Sequence, residues 1–171
     1  SLSLALHVSE QQQLDMRAEG KPITVRPSYE ILKTLVNEHD REGKKNGKGF
    51  YDYKENGDKK LWPELTNLFP TKDEQPTQQD MIDRLMFIQA NESAKCYQEN
   101  VVRSVADTNI GSIFGWGFAP HQGGTLQFIN SMGLETFIAR SHELASKYGE
   151  RFEPAQILVD MAKKGEEFVD G

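Results

Sequence analysis

The side chains with the chemical range for catalysis or metal binding are few and scattered. Four histidines, His7, His39, His121 and His142, lie far apart in the chain, and none stands at His-x-x-x-His spacing. A helical zinc site would need that spacing to aim two imidazoles from one face, so a metal site has little support. His142-Glu143 is an acid–base neighbour pair. Adjacent residues on a helix point about 100° apart, so this pair could cooperate only through tertiary contacts. His121 sits in the segment "GWGFAPHQGG" at 115–124, where loop residues often carry function. The plainer reading is a turn residue that tolerates unusual backbone angles. Cys96 is the only cysteine, which excludes an intrachain disulfide and a multi-cysteine zinc site. With no general base visible to activate it, it reads as a small core filler.

Phosphate-binding motifs are absent as well. No GxGxxG follows a predicted strand. The "GKKNGKG" run at 43–49 has the wrong spacing for a P-loop and no Ser or Thr after a Gly-Lys pair. No self-contained catalytic or cofactor site emerges from the residue types, and none is assigned.

Composition narrows the classes further. The chain has 171 residues, 37% of them hydrophobic, and a formal charge of −6. That charge disfavours general nucleic-acid binding, which needs a basic face. Lys44, Lys45 and Lys48 cluster, but Glu42 and Asp52 flank them, as in a solvated loop. No run of about 18 apolar residues exists, so no membrane span is expected. A single cysteine fits a reducing cytosol. No signal peptide is visible in "SLSLALHV", and a chain that opens within an apolar segment suggests a piece of something longer.

The elements that must position these residues are mostly helices. "SLSLALHV" fits either a strand face or a small-residue helix face, and the helix formers that follow up to Gly20 favour a helix over about 2–18. Ser28 is a potential cap for a second helix with apolar face Ile31, Leu32, Leu35 and Val36. Asn46-Gly47 marks a tight turn, followed by a short extended aromatic piece, Phe50, Tyr51 and Tyr53. Residues 55–76 read as a polar connector anchored by Trp62, Leu65, Leu68 and Phe69. Thr77 and Asp80 fit a capping box. Ile82, Met86, Ala90, Ala94, Tyr97, Val101 and Val105 then predict one helix from 78 to about 104. Polar residues on it, Asp83-Arg84 and Asn91-Glu92, read as its wet face, with Asp83 and Arg84 also able to bridge to a partner. Asp107 is a potential cap for a short helix ending near Gly115. "TLQFINSMG" predicts another. Leu134, Phe137, Ile138, Ser141, Leu144, Ala145 and Tyr148 predict a third, stopped by Gly149. Pro154 suits the first turn of a last helix carrying Ile157, Leu158, Met161 and Ala162.

The glycine-rich stretch is then expected to be a rigid corner between two helices. Gly115 and Gly117 would let the chain leave one helix sharply, and Pro120 would stiffen the turn. Gly123 and Gly124 would let the next helix approach a neighbour closely. Trp116 and Phe118 would pin the corner to the long helix.

"GKKNGKGFYDY" (43–53) and "GWGFAPHQGGTLQFINSMG" (115–133) together carry a resemblance. The chain resembles the C-terminal part of 3-hydroxyacyl-CoA dehydrogenases, most of all the multifunctional fatty-acid β-oxidation proteins (alpha subunit). Those proteins carry two copies of a helical C-terminal domain. The resemblance implies an all-α fold, a helical bundle of the 6-phosphogluconate dehydrogenase C-terminal-domain-like type, with an aromatic turn segment near 46–53. It implies that 1–54 is the tail of the first copy, 55–76 a connector and 77–171 the second copy. The family oxidises 3-hydroxyacyl-CoA with NAD, and places its His–Glu pair and NAD site in a preceding Rossmann domain. Asp83-Arg84 occupy the place of an Asn-Arg pair whose Asn serves the active site in the first copy. Asp83 departs from that pattern, and no catalytic residue is carried over. The implied role is structural: the second copy buttresses the first and helps shape the acyl-CoA cleft. No cofactor is expected in this chain. Its expected partners are the parent's Rossmann domain and first helical copy, with self-association of the isolated chain and a cytoplasmic location. The rival reading is a stand-alone helical dimerisation or binding module.

Overall fold

A computed structural model describes residues 1–23 and 25–169, so the last two residues of the region expected at 77–171 lie outside the described residues. The chain divides into two compact units, Ser1–Asp73 and Glu74–Gly171. Both are largely helical, and the strands among the described residues form one small two-stranded sheet.

Unit 1 begins with helix α1, Leu2–Ala18, whose Ser1 hydroxyl accepts the Leu4 N–H. Gly20, at φ +68°, ends it. The Lys21 N–H bonds the Met16 carbonyl and the Gly20 N–H that of Arg17, the paired bonds of a Schellman stop. Helix α2, Pro27–Lys33, is not capped by Ser28. Arg26 is the extended residue before the helix and Pro27 takes the first helical position, where its missing N–H costs nothing. Ser28 therefore falls inside the first turn. The helix widens into a π turn over Thr34–Glu38 that buries Leu35 completely.

The aromatic segment forms strand β1, Tyr51–Tyr53. It pairs antiparallel with β2, Lys59–Leu61, in the register Tyr51 to Leu61 and Tyr53 to Lys59. The region expected to be a connector from 55 thus starts as half of a hairpin. Its turn holds a second Asn-Gly dipeptide: Gly57 sits at φ +89° and Asn56 Oδ1 accepts the Asp58 N–H. A single-turn helix, α3, spans Leu65–Leu68.

Unit 2 is built on α4, Gln78–Gln98. Thr77 Oγ1 accepts the Asp80 N–H, as in a capping box. The Asp80 carboxylate does not complete the box; it turns instead to Arg140 and Tyr148, farther along the chain. The helix stops six residues earlier than the apolar spacing predicts. Asn100 adopts φ +58°, the Val101 N–H bonds the Cys96 carbonyl, and the Asn100 N–H bonds that of Tyr97. This is again the Schellman geometry, here made by an asparagine. Val101 therefore lies beyond the helix and is exposed.

Ser104, not Asp107, caps α5, Val105–Trp116. Asp107 donates its N–H to that cap and places its charge in the first turn, where the helix dipole favours it. Helices α6, Thr125–Met132, and α7, Leu134–Tyr148, are separated by Gly133 at φ +84°. Pro154 precedes the last helix, α8, Gln156–Lys164, rather than joining its first turn. The reason is local: Asn91 of α4 accepts the Ala155 N–H and donates to the Glu153 carbonyl, holding that segment extended.

The core of unit 2 is aromatic. Phe87 and Phe137 stack face to face at 4.3 Å, and Phe128 meets both edge-on. Leu126, Ile129, Leu144 and Leu158 are fully buried around them. The buried face of α4 runs Asp80, Asp83, Phe87, Ala90, Asn91 and Ala94. Ile82 of the predicted stripe is exposed, while Asp83 and Asn91, expected on the wet face, are buried.

Candidate functional site

Two arrangements in unit 2 gather the polar and glycine residues singled out from the sequence. The first is the corner between α5 and α6. Gly115 lies inside α5, outside the positive-φ residues, with open space around it, so it does not shape the exit. Gly117 does, at φ +77°, accepting a left-handed backbone that a β-carbon disfavours. Phe118 then turns inward and packs on Phe128 at 6.1 Å. Trp116 stays half exposed, and its Nε1–H donates to Gln89 Oε1 of α4 at 2.9 Å. The two aromatics thus hold different neighbours: Trp116 reaches the long helix, Phe118 the start of α6. Pro120 opens a 3-10 turn that ends at Gly123, φ +75°.

Gly124 precedes α6 with φ +108° and no side chain to cap the helix. Helix α5 supplies the caps instead. Asn109 Oδ1 accepts the N–H groups of Leu126 and Gln127, at 2.9 and 3.1 Å, and Ser112 Oγ accepts that of Thr125 at 3.2 Å. An anion seated at a helix N-terminus uses these same donors. Here they are already satisfied, so the geometry makes the corner a joint between helices and not a phosphate cradle.

The second arrangement joins α4 to α7. Arg140 Nη2 donates to Asp80 Oδ1 at 2.5 Å, its Nε to Asp83 Oδ2 at 2.8 Å, and its Nη1 to Glu143 Oε2 at 2.8 Å. The Tyr148 hydroxyl donates to Asp80 Oδ2 at 2.7 Å, and Lys147 stands 3.6 Å from the same oxygen. Gln79 Nε2 takes the remaining oxygen of Asp83. The Tyr148 hydroxyl and the Arg140 guanidinium hold Asp80 down to a pKa of about 2. Tyr148 is pushed up in turn, first by its bond to Asp80. Burial disfavours the Arg140 charge, but the carboxylates outweigh it and its pKa is raised. Asp80, Arg140 and Tyr148 are each shifted away from neutrality, which disfavours their exchanging protons near pH 7. Both Asp83 oxygens accept a hydrogen bond from within the unit. Arg84 lies over the Tyr148 ring at 4.5 Å.

The remaining candidates stay apart. His142 Nδ1 meets Glu153 Oε2 at 3.0 Å in an exposed pair, while Glu143 is engaged by Arg140, so the neighbours His142-Glu143 do not cooperate. His121 is exposed beside Gln122. His39 meets the Trp62 ring edge-on in unit 1. Cys96 is a half-buried free thiol. Among the described residues no group of three His, Cys, Asp or Glu is placed to hold a metal ion. No helix among them is long and apolar enough to cross a membrane.

Unit 1 holds a polar cluster that the solvated-loop reading of Lys44, Lys45 and Lys48 misses. Arg41 is buried, donates Nε–H to the Gly49 carbonyl and Nη2–H to Asp52, and lies 4.2 Å over Trp62. It knits the glycine-rich turn to the hairpin. Lys45 pairs with Glu42 and Lys48 with Asp40, so these lysines are locally neutralised. No protein-family model matches the chain.

Proposed function

We propose that the chain is the C-terminal part of an NAD-dependent 3-hydroxyacyl-CoA dehydrogenase of fatty-acid β-oxidation, and that its work is architectural. It supports the acyl-CoA cleft and domain packing of a larger cytoplasmic protein. That parent's Rossmann domain binds NAD and its first helical copy is this chain's partner. The fold type proposed for the helical copies is the 6-phosphogluconate dehydrogenase C-terminal-domain-like bundle.

One observation supports the reading: the α1–α2 segment shows the same order of local signals as α7–α8. Helix α1 ends at positive-φ Gly20, Pro27 follows, and α2 carries Ile31-Leu32. Helix α7 ends at positive-φ Gly149, Pro154 follows, and α8 carries Ile157-Leu158. Leu4, Val8 and Leu14 on α1 have the same spacing as Leu134, Ile138 and Leu144 on α7. In unit 2, α4 and α6 pack on α7, leaving Leu134 7% and Leu144 0% exposed. In unit 1 the counterparts Leu4, Val8 and Leu14 are 60%, 56% and 55% exposed. Helix α1 buries Leu6 and leaves Leu4, Val8 and Leu14 exposed, a face free to be covered by the helices proposed for the first copy. Apolar burial on that face would drive its association with the missing helices.

The purified chain is then expected to give no turnover with acetoacetyl-CoA and NADH. Steady oxidation of NADH by the chain alone contradicts an architectural role.

The rival, a stand-alone helical dimerisation or binding module, draws on a different observation. Ile110 and Phe114 on α5 and Leu85 on α4 are exposed within unit 2 itself.

A further inference from the structure

Among the described residues, the segment beyond α8 is buried at one point. Gly165 closes the helix in the left-handed region at φ +65°. The Glu166 N–H reaches back to the Met161 carbonyl, and the Gly165 N–H to that of Ala162. Glu166 and Glu167 are exposed, and so is Val169. Between them Phe168 is 4% exposed. Its N–H donates to Asn130 Oδ1 at 3.0 Å and its carbonyl accepts from Asn130 Nδ2 at 2.8 Å. Its ring meets Tyr97 edge-on at 5.7 Å.

One side-chain amide therefore pairs with both backbone groups of one tail residue, much as an adjacent strand would. Such pairing is blind to the side chain it holds, and the aromatic contact supplies the selectivity. Among the described residues of the tail, Phe168 alone is buried, with Gly165 on one side and exposed Val169 on the other. A groove of about 700 Å³ runs beside it along α4 and α8, lined by Tyr97, Ile157 and Met161 and walled by Phe168 and Val169.

We infer that residues 165–169 are a detachable latch seated in a peptide socket. Asn130 and Tyr97 build the socket, its ligand class is an extended segment bearing an aromatic side chain, and the chain's own Phe168 fills it. The latch opens at Gly165 without unfolding unit 2 and widens the groove between α4 and α8. It does not depend on the dehydrogenase reading above.

The test uses the full chain, Asn130→Asp and Phe168→Ala. Aspartate at 130 still accepts the Phe168 N–H but opposes its carbonyl with a carboxylate. A Glu-specific protease should cut at Glu166 and Glu167 at least about tenfold faster in both variants, the effect expected when a buried hydrogen-bonded contact is lost. Phe168 belongs to the buried core cluster of unit 2, so its loss should lower the unit 2 melting temperature, by about 5–10 °C for a tenfold change in opening, while the unit stays folded. A fluorescent peptide of residues 165–169 should bind Phe168→Ala and not the wild type. Equal cutting of all three proteins overturns the inference, as does a failure of the peptide to bind a folded Phe168→Ala chain. Should either variant unfold, amide exchange on the wild type decides. Phe168 N–H exchanging well ahead of Phe137 N–H supports a latch, and exchange of both only through global unfolding refutes it.

Discussion

Asn109 stands where a side chain on Gly124 would have to go. A β-carbon built on Gly124 falls 2.5 Å from both Cα and Cβ of Asn109 and 2.7 Å from its Oδ1. That oxygen is the one that caps α6. The glycine and the asparagine thus solve one problem together. The helix start gives up its own side chain so that a neighbouring helix can come close enough to cap it.

Gly124→Val should therefore cost about 3 kcal/mol or more, combining overpacking with strain at a positive φ. His121→Ala, three residues away on the exposed turn, should stay within about 0.5 kcal/mol of wild type. Paired thermal melts check this, and equal melting temperatures would contradict the role given to the corner.

Asn109→Ala should destabilise unit 2 by about 1–2 kcal/mol, because two helix N–H groups lose their acceptor. Asn109→Asp keeps an acceptor at that place and should recover most of the loss. Urea melts of the two variants distinguish a cap from simple space filling, which would treat Asp and Ala much more alike.

The clamp between α4 and α7 predicts a pH dependence with a definite sign. Asp80 has a folded pKa of about 2 against an ordinary 3.8. Protonation therefore favours the unfolded chain. The stabilisation is fully present above about pH 4 and is lost as pH falls toward 2. In melts from pH 6 to pH 2 the wild type should lose stability across this window. Asp80→Asn should start lower and lose less. Parallel curves for the two proteins would show that Asp80 is not the group responsible.

The exposed face of α1 predicts association of the isolated chain. Light scattering should find a mass that grows with concentration. Leu4→Gln combined with Val8→Gln should return the chain to monomer without lowering its melting temperature, because neither side chain is buried. A wild-type monomer at all concentrations would contradict an uncovered face on α1 and leave, of the rival readings, only a monomeric binding module.

Where single residues set local geometry, the sequence was a good guide. Gly20 and Gly149 stop α1 and α7, and α7 buries Leu134, Phe137, Ser141, Leu144 and Ala145 as their spacing predicts. Asn56-Gly57 carried an equally plain turn signal, but its polar surroundings masked the hairpin. What local pattern cannot reveal is a polar residue satisfied from far along the chain. Asp80 and Asp83 are buried because Arg140, about 60 residues on, neutralises them, and Asn91 because it binds backbone beside Pro154. Asn109 and Arg41 likewise carry no local signal of the backbone groups and side chains they bind. The corner illustrates both sides: its glycines were conspicuous, but the residue that explains Gly124 lies on the preceding helix.

Complementation tests the central claim most directly. A multifunctional 3-hydroxyacyl-CoA dehydrogenase polypeptide, cut just before the region resembling this chain, would be mixed with the purified chain and assayed with acetoacetyl-CoA and NADH. An architectural partner should bind the truncated enzyme and raise its turnover at least about tenfold, as expected when a cleft is restored to its working geometry. Leu4→Gln with Val8→Gln should weaken the rescue. No binding and no gain in turnover would contradict the account.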